Sequence, residues 1–422
     1  MTRLQRRSPD EGLILPAAMH PLLQRVYRQR GLTGEQELDL ALANLIPPHE
    51  LLGMATAVDL LVAALDHQRR VLIVSDFDAD GATSCALAIC ALQDFGFRHV
   101  DYIVPNRFHF GYGLTPKIVD ELAKAKEPDL IITVDNGISS VAGVEAAKRI
   151  GSQVLITDHH LAPETLPEAD AIVNPNQQGC SFKSKAIAGV GVIFYVMLAL
   201  RGRLRELGRF ERGLSEPNMA ALLDLIALGT IADVVPLDHN NRILVAEGLR
   251  RIRAGKARPG IQALLQVAGK NTTALTASDL AFGVGPRLNA AGRLNDMTTG
   301  IECLLSKHAD TAYQLALQLD AMNQDRKQIE ADMRQQAFES LEEFKFNEAD
   351  LPNSFCLFDQ RWHQGVVGIL ASRIKEKYHR PVIAFATVEG GKELKGSARS
   401  IGGFNIRDAL DAVATKNPGL IT

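Results

Sequence analysis

Short runs of consecutive apolar residues alternate with stretches of helical periodicity along much of the chain. Val71-Leu72-Ile73-Val74, Leu130-Ile131-Ile132-Thr133-Val134 and Val154-Leu155-Ile156-Thr157 are aliphatic and largely β-branched. Such unbroken runs predict strands buried on both faces, as in a parallel sheet. Helical patterns follow or intervene at 81–92, 116–126 and 141–150, so residues 51–240 read as a βαβ series. A further strand, Tyr102-Ile103-Val104, ends at Pro105-Asn106-Arg107. Residues 186–200 and 219–231 predict buried helices, and 242–310 reads as helical and irregular, with a loop at 285–293.

Leu315, Leu319, Met322, Ile329 and Met333 then recur at helical spacing between charged residues, which predicts one long helix over 308–345. A second unit starts near 353, with strand 355–358, helix 365–378 and strand 382–385. The expected fold class is therefore α/β: a parallel-sheet domain (51–240) after a polar lead-in (1–50), a helical region and connector helix (241–345), and a second, smaller α/β domain (346–422).

Composition narrows the class. With 46% hydrophobic and 23% charged residues the chain reads as an ordinary globular protein. A net charge of −3 argues against a broad nucleic-acid-binding face but allows a local basic groove. Five scattered cysteines without a Cys-x-x-Cys pair read as reduced thiols of a cytoplasmic protein. No run has signal-peptide or membrane-spanning character, so no membrane partner is expected.

The predicted strands end in acids. Ligands of open parallel sheets sit at the carboxyl ends of the strands. There the first run leads to Asp76-Phe77-Asp78-Ala79-Asp80, the second to Asp135, and the third to Asp158-His159-His160. Asp233 closes the second buried helix. Asp78, Asp80, Asp135 and Asp233 on one rim would repel one another unless cations or protons intervened. Carboxylates with one imidazole, His159, suit two Mn2+ or Mg2+ ions rather than a structural zinc. Two such ions about 3.5–4 Å apart support phosphodiester cleavage. Asp158 would orient an imidazole and His160 would reach the phosphate or protonate the leaving oxygen. Asp76 is expected to be a turn residue.

These segments, together with Gly111-Tyr112-Gly113-Leu114, Ala232-Asp233-Val234-Val235-Pro236-Leu237, Gly285 to Arg293, Trp362-His363-Gln364-Gly365 and Lys395-Gly396-Ser397-Ala398-Arg399-Ser400, resemble the DHH phosphoesterase superfamily. Within it, the resemblance is to the bacterial single-stranded-DNA exonucleases. It implies a 5′→3′ exonuclease that releases mononucleotides in recombination and mismatch repair. A helicase would supply its strand, in company with single-strand-binding protein. It also implies metal ligation by Asp78, Asp80, Asp135, His159 and Asp233, with His160 in the catalytic centre. Two departures stand out: Val74 occupies a position where some members carry histidine, and no Gly-Gly-His follows residue 400. The DHH-associated second domain is therefore expected to be incomplete and an OB-fold absent, with weak strand binding and reduced cleavage.

Substrate contacts are expected from arginines, whose planar fork suits phosphate. These are Arg107, Arg287 and Arg293 (the last two flanking Asn289) and Arg399 beside Ser397; Tyr112 is a stacking platform for a base. Gly365 would expose backbone amides at a helix start. The runs Arg201/Arg203/Arg205 and Arg250/Arg251/Arg253/Lys256/Arg258 read as solvated helix faces, and Trp362-His363 as a packing anchor. Two alternatives accompany the exonuclease reading: a phosphodiesterase acting on short oligonucleotides or cyclic dinucleotides, and an inactive nucleic-acid-binding form.

Overall fold

The structure, a computed structural model, describes residues 15–30, 32, 34–211, 214–343, 351–388, 393–417 and 420. The start of the lead-in (1–14) and the expected helix end at 344–345 lie outside the described residues.

Five strands form one parallel sheet: β1 (Val71–Ser75), β2 (Val100–Ile103), β3 (Leu130–Val134), β4 (Gln153–Thr157) and β5 (Ala171–Val173), in the order β2-β1-β3-β4-β5. Every residue of β1 and β3 is buried, which is why these runs are apolar on both faces. Ile73, Leu130, Ile132 and Val134 face the main core, whereas Leu72, Val74, Ile131 and Ile156 face a smaller one with Leu114, Ile118 and Val144. The chain crosses from β2 over β1 to β3, so the order reverses between β1 and β3, where such sheets open a ligand crevice. Register matters most for function. Ser75 pairs with Val134 and Val134 with Thr157. The next residues, Asp76, Asp135 and Asp158, therefore leave the sheet side by side.

The helices after residue 241 do not stand apart. Leu244, Leu264, Ile301 and Leu319 belong to the same core as the sheet. The helix Ala309–Glu343 is the expected connector: Ala312, Ala316 and Leu319 pack into the first core, Met333, Ala337 and Leu341 into the second. At 1.5 Å per residue it is about 52 Å long. The second core lies under a three-stranded sheet of β6 (Phe355–Phe358), β7 (Val382–Thr387) and β8 (Leu394–Arg399), with the helix Val367–Tyr378 and Trp362 against it. β7 and β8 are antiparallel.

Several sequence expectations shift. Segment 285–293 is not a loop. It is the helix Gly285–Leu294, continuing a π-turn at Leu280–Val284, with Pro286 in the first turn, where the absent N–H is harmless. β2 starts two residues earlier than expected. β5 and β8 escaped notice because one has three residues and the other is a polar, partly exposed edge strand. Arg258 is not on a solvated face: its guanidinium is buried 3.2 Å from Asp224. No single helix among the described residues is long and apolar enough to cross a membrane.

Candidate metal centre

The turn after β1 places three carboxylates in succession. Asp78 caps the helix Ala79–Asp94, accepting hydrogen bonds from the Asp80 and Gly81 amides at 2.9 and 3.0 Å. Asp80 is buried; its carboxylate accepts from Gly189 N (2.6 Å) and Val190 N (3.0 Å) at the start of the helix Gly189–Glu206. A helix N-terminus favours an anion there. Burial and the charges of Asp233 and Asp78 nevertheless hold its pKa well above the usual carboxylate range. Asp76 is buried as well, with Oδ1 lacking any hydrogen-bond partner, and burial followed by the Asp78 charge raises its pKa strongly.

Asp135 emerges from β3 with φ +62°, a left-handed conformation that residues other than glycine seldom adopt. The residue is 2% exposed and its pKa is driven far upward by burial, then by Asp80 and Asp78. His159 Nε2 lies 3.2 Å from Asp135 Oδ1 and 3.5 Å from Asp233 Oδ2, yet hydrogen-bonds to neither. Burial and the neighbouring His160 charge lower the His159 pKa to about 4, so the ring is neutral, as a metal ligand must be. Asp233, at the end of the helix Leu223–Ala232, is raised to about 7 by burial and by Asp78. Two glycines make room for this crowding. A Cβ on Gly189 would lie 2.5 Å from Asp135 Oδ1, and one on Gly229 would lie 2.8 Å from Asp80 Oδ1.

Asp158 does different work. Its Oδ2 accepts from Ile138 N (2.9 Å) and its Oδ1 from His159 N (2.7 Å), His160 N (3.1 Å) and the His160 ring Nδ1 (2.7 Å). Burial alone would raise its pKa, but the His160 bonds and charge, together with the Ile138 amide, outweigh burial and lower it. Burial opposes charge on His160 too, and Asp158 overcomes it, raising the imidazole to about 9. Tyr112 Oη lies 3.2 Å from the His160 ring nitrogens.

Ligand atoms converge in three overlapping groups, each within 4.8 Å: Asp76, Asp78 and Asp135; Asp80, His159 and Asp233; Asp135, His159 and His160. Unpartnered buried atoms on Asp76, Asp135 and His159, among acids whose charges raise one another's pKa, fit divalent cations.

Arginines gather beside this pit. The Arg107 guanidinium lies 4.6 Å from the Phe77 ring centroid, with Nε buried and unpartnered. Arg293 reaches the Gly365 carbonyl at 3.4 Å; burial and then the Arg107 charge lower its pKa to about 10. Arg399 bonds Ser372 Oγ (3.0 Å), Ser397 Oγ (3.2 Å) and the Ala398 carbonyl (2.8 Å). Asn289 Oδ1 accepts from Ala79 N at 2.8 Å, tying the helix Gly285–Leu294 to the acidic turn.

Residues 70–230 match the DHH family, N-terminal domain, and residues 352–420 the DHHA1 domain. The single-stranded-DNA-specific exonuclease RecJ of Dickeya dadantii (strain 3937) is 56% identical over 422 residues, all of this chain and 73% of that protein. The chain belongs to the RecJ family of single-stranded-DNA-specific exonucleases. Crystal structures of RecJ from Thermus thermophilus with Mn2+ (33% identity, TM-score 0.75) and Mg2+ (32%, TM-score 0.69) cover 91% and 92% of the chain, which covers 53% and 50% of theirs.

Not every expected RecJ-family site residue stands where the sequence put it. Arg287 is withdrawn from the arginine cluster: it ion-pairs with Asp320 at 2.7 Å and donates to the Gly283 carbonyl at 2.5 Å, joining its helix to the connector. The Gly365 amide donates to His363 Nδ1 at 3.1 Å, and the helix starts only at Val367, so Gly365 offers its carbonyl rather than a free amide. Asp76, expected to be a turn residue, joins the acidic group instead. The signal that would have found it is its register with Asp135 and Asp158, one residue past paired strand ends.

Proposed function

We propose that this chain hydrolyses single-stranded DNA from a 5′ end, releasing mononucleotides, at a pair of Mn2+ or Mg2+ ions. The observation that carries this reading is the convergence of buried, unpartnered carboxylate oxygens and a neutral His159 at the ends of β1, β3 and β4. Asp76, Asp78, Asp80, Asp135, His159 and Asp233 would hold the ions. Bound there, they would supply a water of lowered pKa and neutralise charge on the phosphoryl group.

The chain's own groups do the rest. Asp158 holds His160 in its charged form, and its Nδ1 contact fixes the ring. A protonated His160 is suited to stabilise the phosphoryl oxygens and to return a proton to the leaving oxygen. Arg107, Arg293 and Arg399, with Ser397, bind the terminal phosphate and the next linkage, and Tyr112 stacks on a base. Arg399 and Ser397 come from the second domain (346–422), across the connector from the metal-binding domain (51–240), so both domains serve one strand. The connector helix Ala309–Glu343 packs into the cores of both. A 5′-ended strand must first be unwound, so a helicase and a single-strand-binding protein are inferred partners. A role in repair and recombination in the cytoplasm fits that substrate.

The test compares a long 5′-phosphorylated single strand, the matching duplex and a dinucleotide, each with Mn2+. Stepwise release of mononucleotides from the long strand alone is expected. Cleavage restricted to the dinucleotide would favour the short-substrate phosphodiesterase instead.

A further inference from the structure

The residue after Asp233 is in an unfavourable backbone conformation. Val234 has φ +60°. A β-branched side chain in the left-handed region is a true outlier, because its methyl groups crowd the backbone. Its surroundings force the conformation. The Val234 amide closes onto the Ile231 carbonyl at 3.4 Å, Val235 packs against the main core, and the Pro236 carbonyl is held by Asn241 Nδ2 at 2.9 Å. Glycine is the usual residue where a helix ends in this way. Here a valine stands instead, and the residue is 82% exposed.

A second exposed apolar residue directly follows a residue of the same centre. Leu161, directly after His160, is 77% exposed. Its loop is anchored: Asn176 Nδ2 donates to the His159 carbonyl (2.6 Å) and Asn174 Nδ2 to the His160 carbonyl (3.0 Å). The two segments meet at the metal centre, because His159 Nε2 lies 3.5 Å from Asp233 Oδ2. Tyr112, 48% exposed, borders it beside His160.

We infer that Val234 and Leu161 form an apolar lip that grips the sugar and base of the nucleotide whose phosphate lies at the metal centre. The lip complements what the acids and arginines do. Those groups address the phosphates and leave the apolar faces that all four bases share to Tyr112 and this lip. Apolar contact is sequence-tolerant, as an enzyme that consumes any strand requires. The inference rests on the proposed nuclease activity and names two positioning residues for it.

The test uses the full chain and its Val234→Gly and Leu161→Ser variants, with two 5′-phosphorylated single strands. One strand is normal and the other carries an abasic site at the first nucleotide. The parent should cleave the normal strand about tenfold faster than the abasic one, the size of effect expected from one apolar contact. Each variant should shrink that ratio to about two, mainly through KM, again on the scale of a single contact. Val234→Gly should melt at or above the parent temperature, because glycine accepts the left-handed backbone. A parent-like ratio in both variants, or no preference in the parent, overturns the lip. Failure of the parent to cut either strand would strike the nuclease reading itself.

Discussion

His160 Nδ1 lies 2.7 Å from Oδ1 of Asp158, a carboxylate that also accepts three backbone amides and is fully buried. This pair sets the charge of the one imidazole at the centre that faces solvent.

The His160 pKa, raised to about 9, should be visible directly. In metal-free protein its ring resonances should titrate well above the ordinary histidine value, and Asp158→Asn should return the midpoint toward about 6.5. The sign for stability follows. A histidine whose folded pKa is raised stabilises fully below its unfolded value and loses that contribution as pH rises through the folded one. Metal-free stability should therefore fall between about pH 6.5 and 9. The change should be of order 1 kcal/mol, since this ring is 45% exposed and solvent screens the pair. An unchanged midpoint in Asp158→Asn would remove Asp158 from this role.

Asp135 is almost fully enclosed, at 2% exposure, so its substitution should separate function from folding. Asp135→Asn should abolish metal-dependent cleavage. In the absence of metal it should raise unfolding free energy by about 2 kcal/mol, because one buried, mutually repelled carboxylate is gone. A stabilised yet fully active variant would contradict its placement.

Asp76 should behave as a site residue rather than a turn residue. Asp76→Asn should lower kcat/KM about 10- to 100-fold and weaken Mn2+ binding. A turn role alone would leave both near parent values.

Two arginines on one helix should part company. Arg293→Ala should raise KM for a 5′-phosphorylated strand about 10- to 100-fold, the loss expected for charge-assisted bonds to phosphate. Arg287→Ala should keep kcat/KM near the parent value and reduce stability by about 1–2 kcal/mol through the lost Asp320 contact. Steady-state kinetics on strands with 5′-phosphate and 5′-hydroxyl ends, beside denaturant melts, would distinguish them.

Much of this was legible in the chain because the signals are local. A run such as Leu130–Val134 followed by Asp135 shows both the buried strand and the acid at its carboxyl end. The connector was legible for the same reason, since Leu319 and Met333 keep helical spacing. What stayed hidden depends on partners distant in sequence. Asp76 looks like any turn acid until the register of β1 against β3 is known. Arg287 and Arg293 are equivalent by composition, and only the position of Asp320 on the neighbouring helix separates them. Gly285 to Arg293 reads as a loop because its glycines and proline break helices, yet Pro286 falls in the first turn, where it is tolerated. The strain at Val234 is invisible in sequence, since nothing about a valine announces a positive φ.

The central claim is that the acids at the strand ends grip a pair of divalent cations. Calorimetric titration of the metal-free chain with Mn2+, beside Asp135→Ala, tests it most directly. Two ions per chain for the parent, and one or none for a folded Asp135→Ala, is the expected result. No Mn2+ uptake by the parent, or the same stoichiometry and affinity in both proteins, would contradict it.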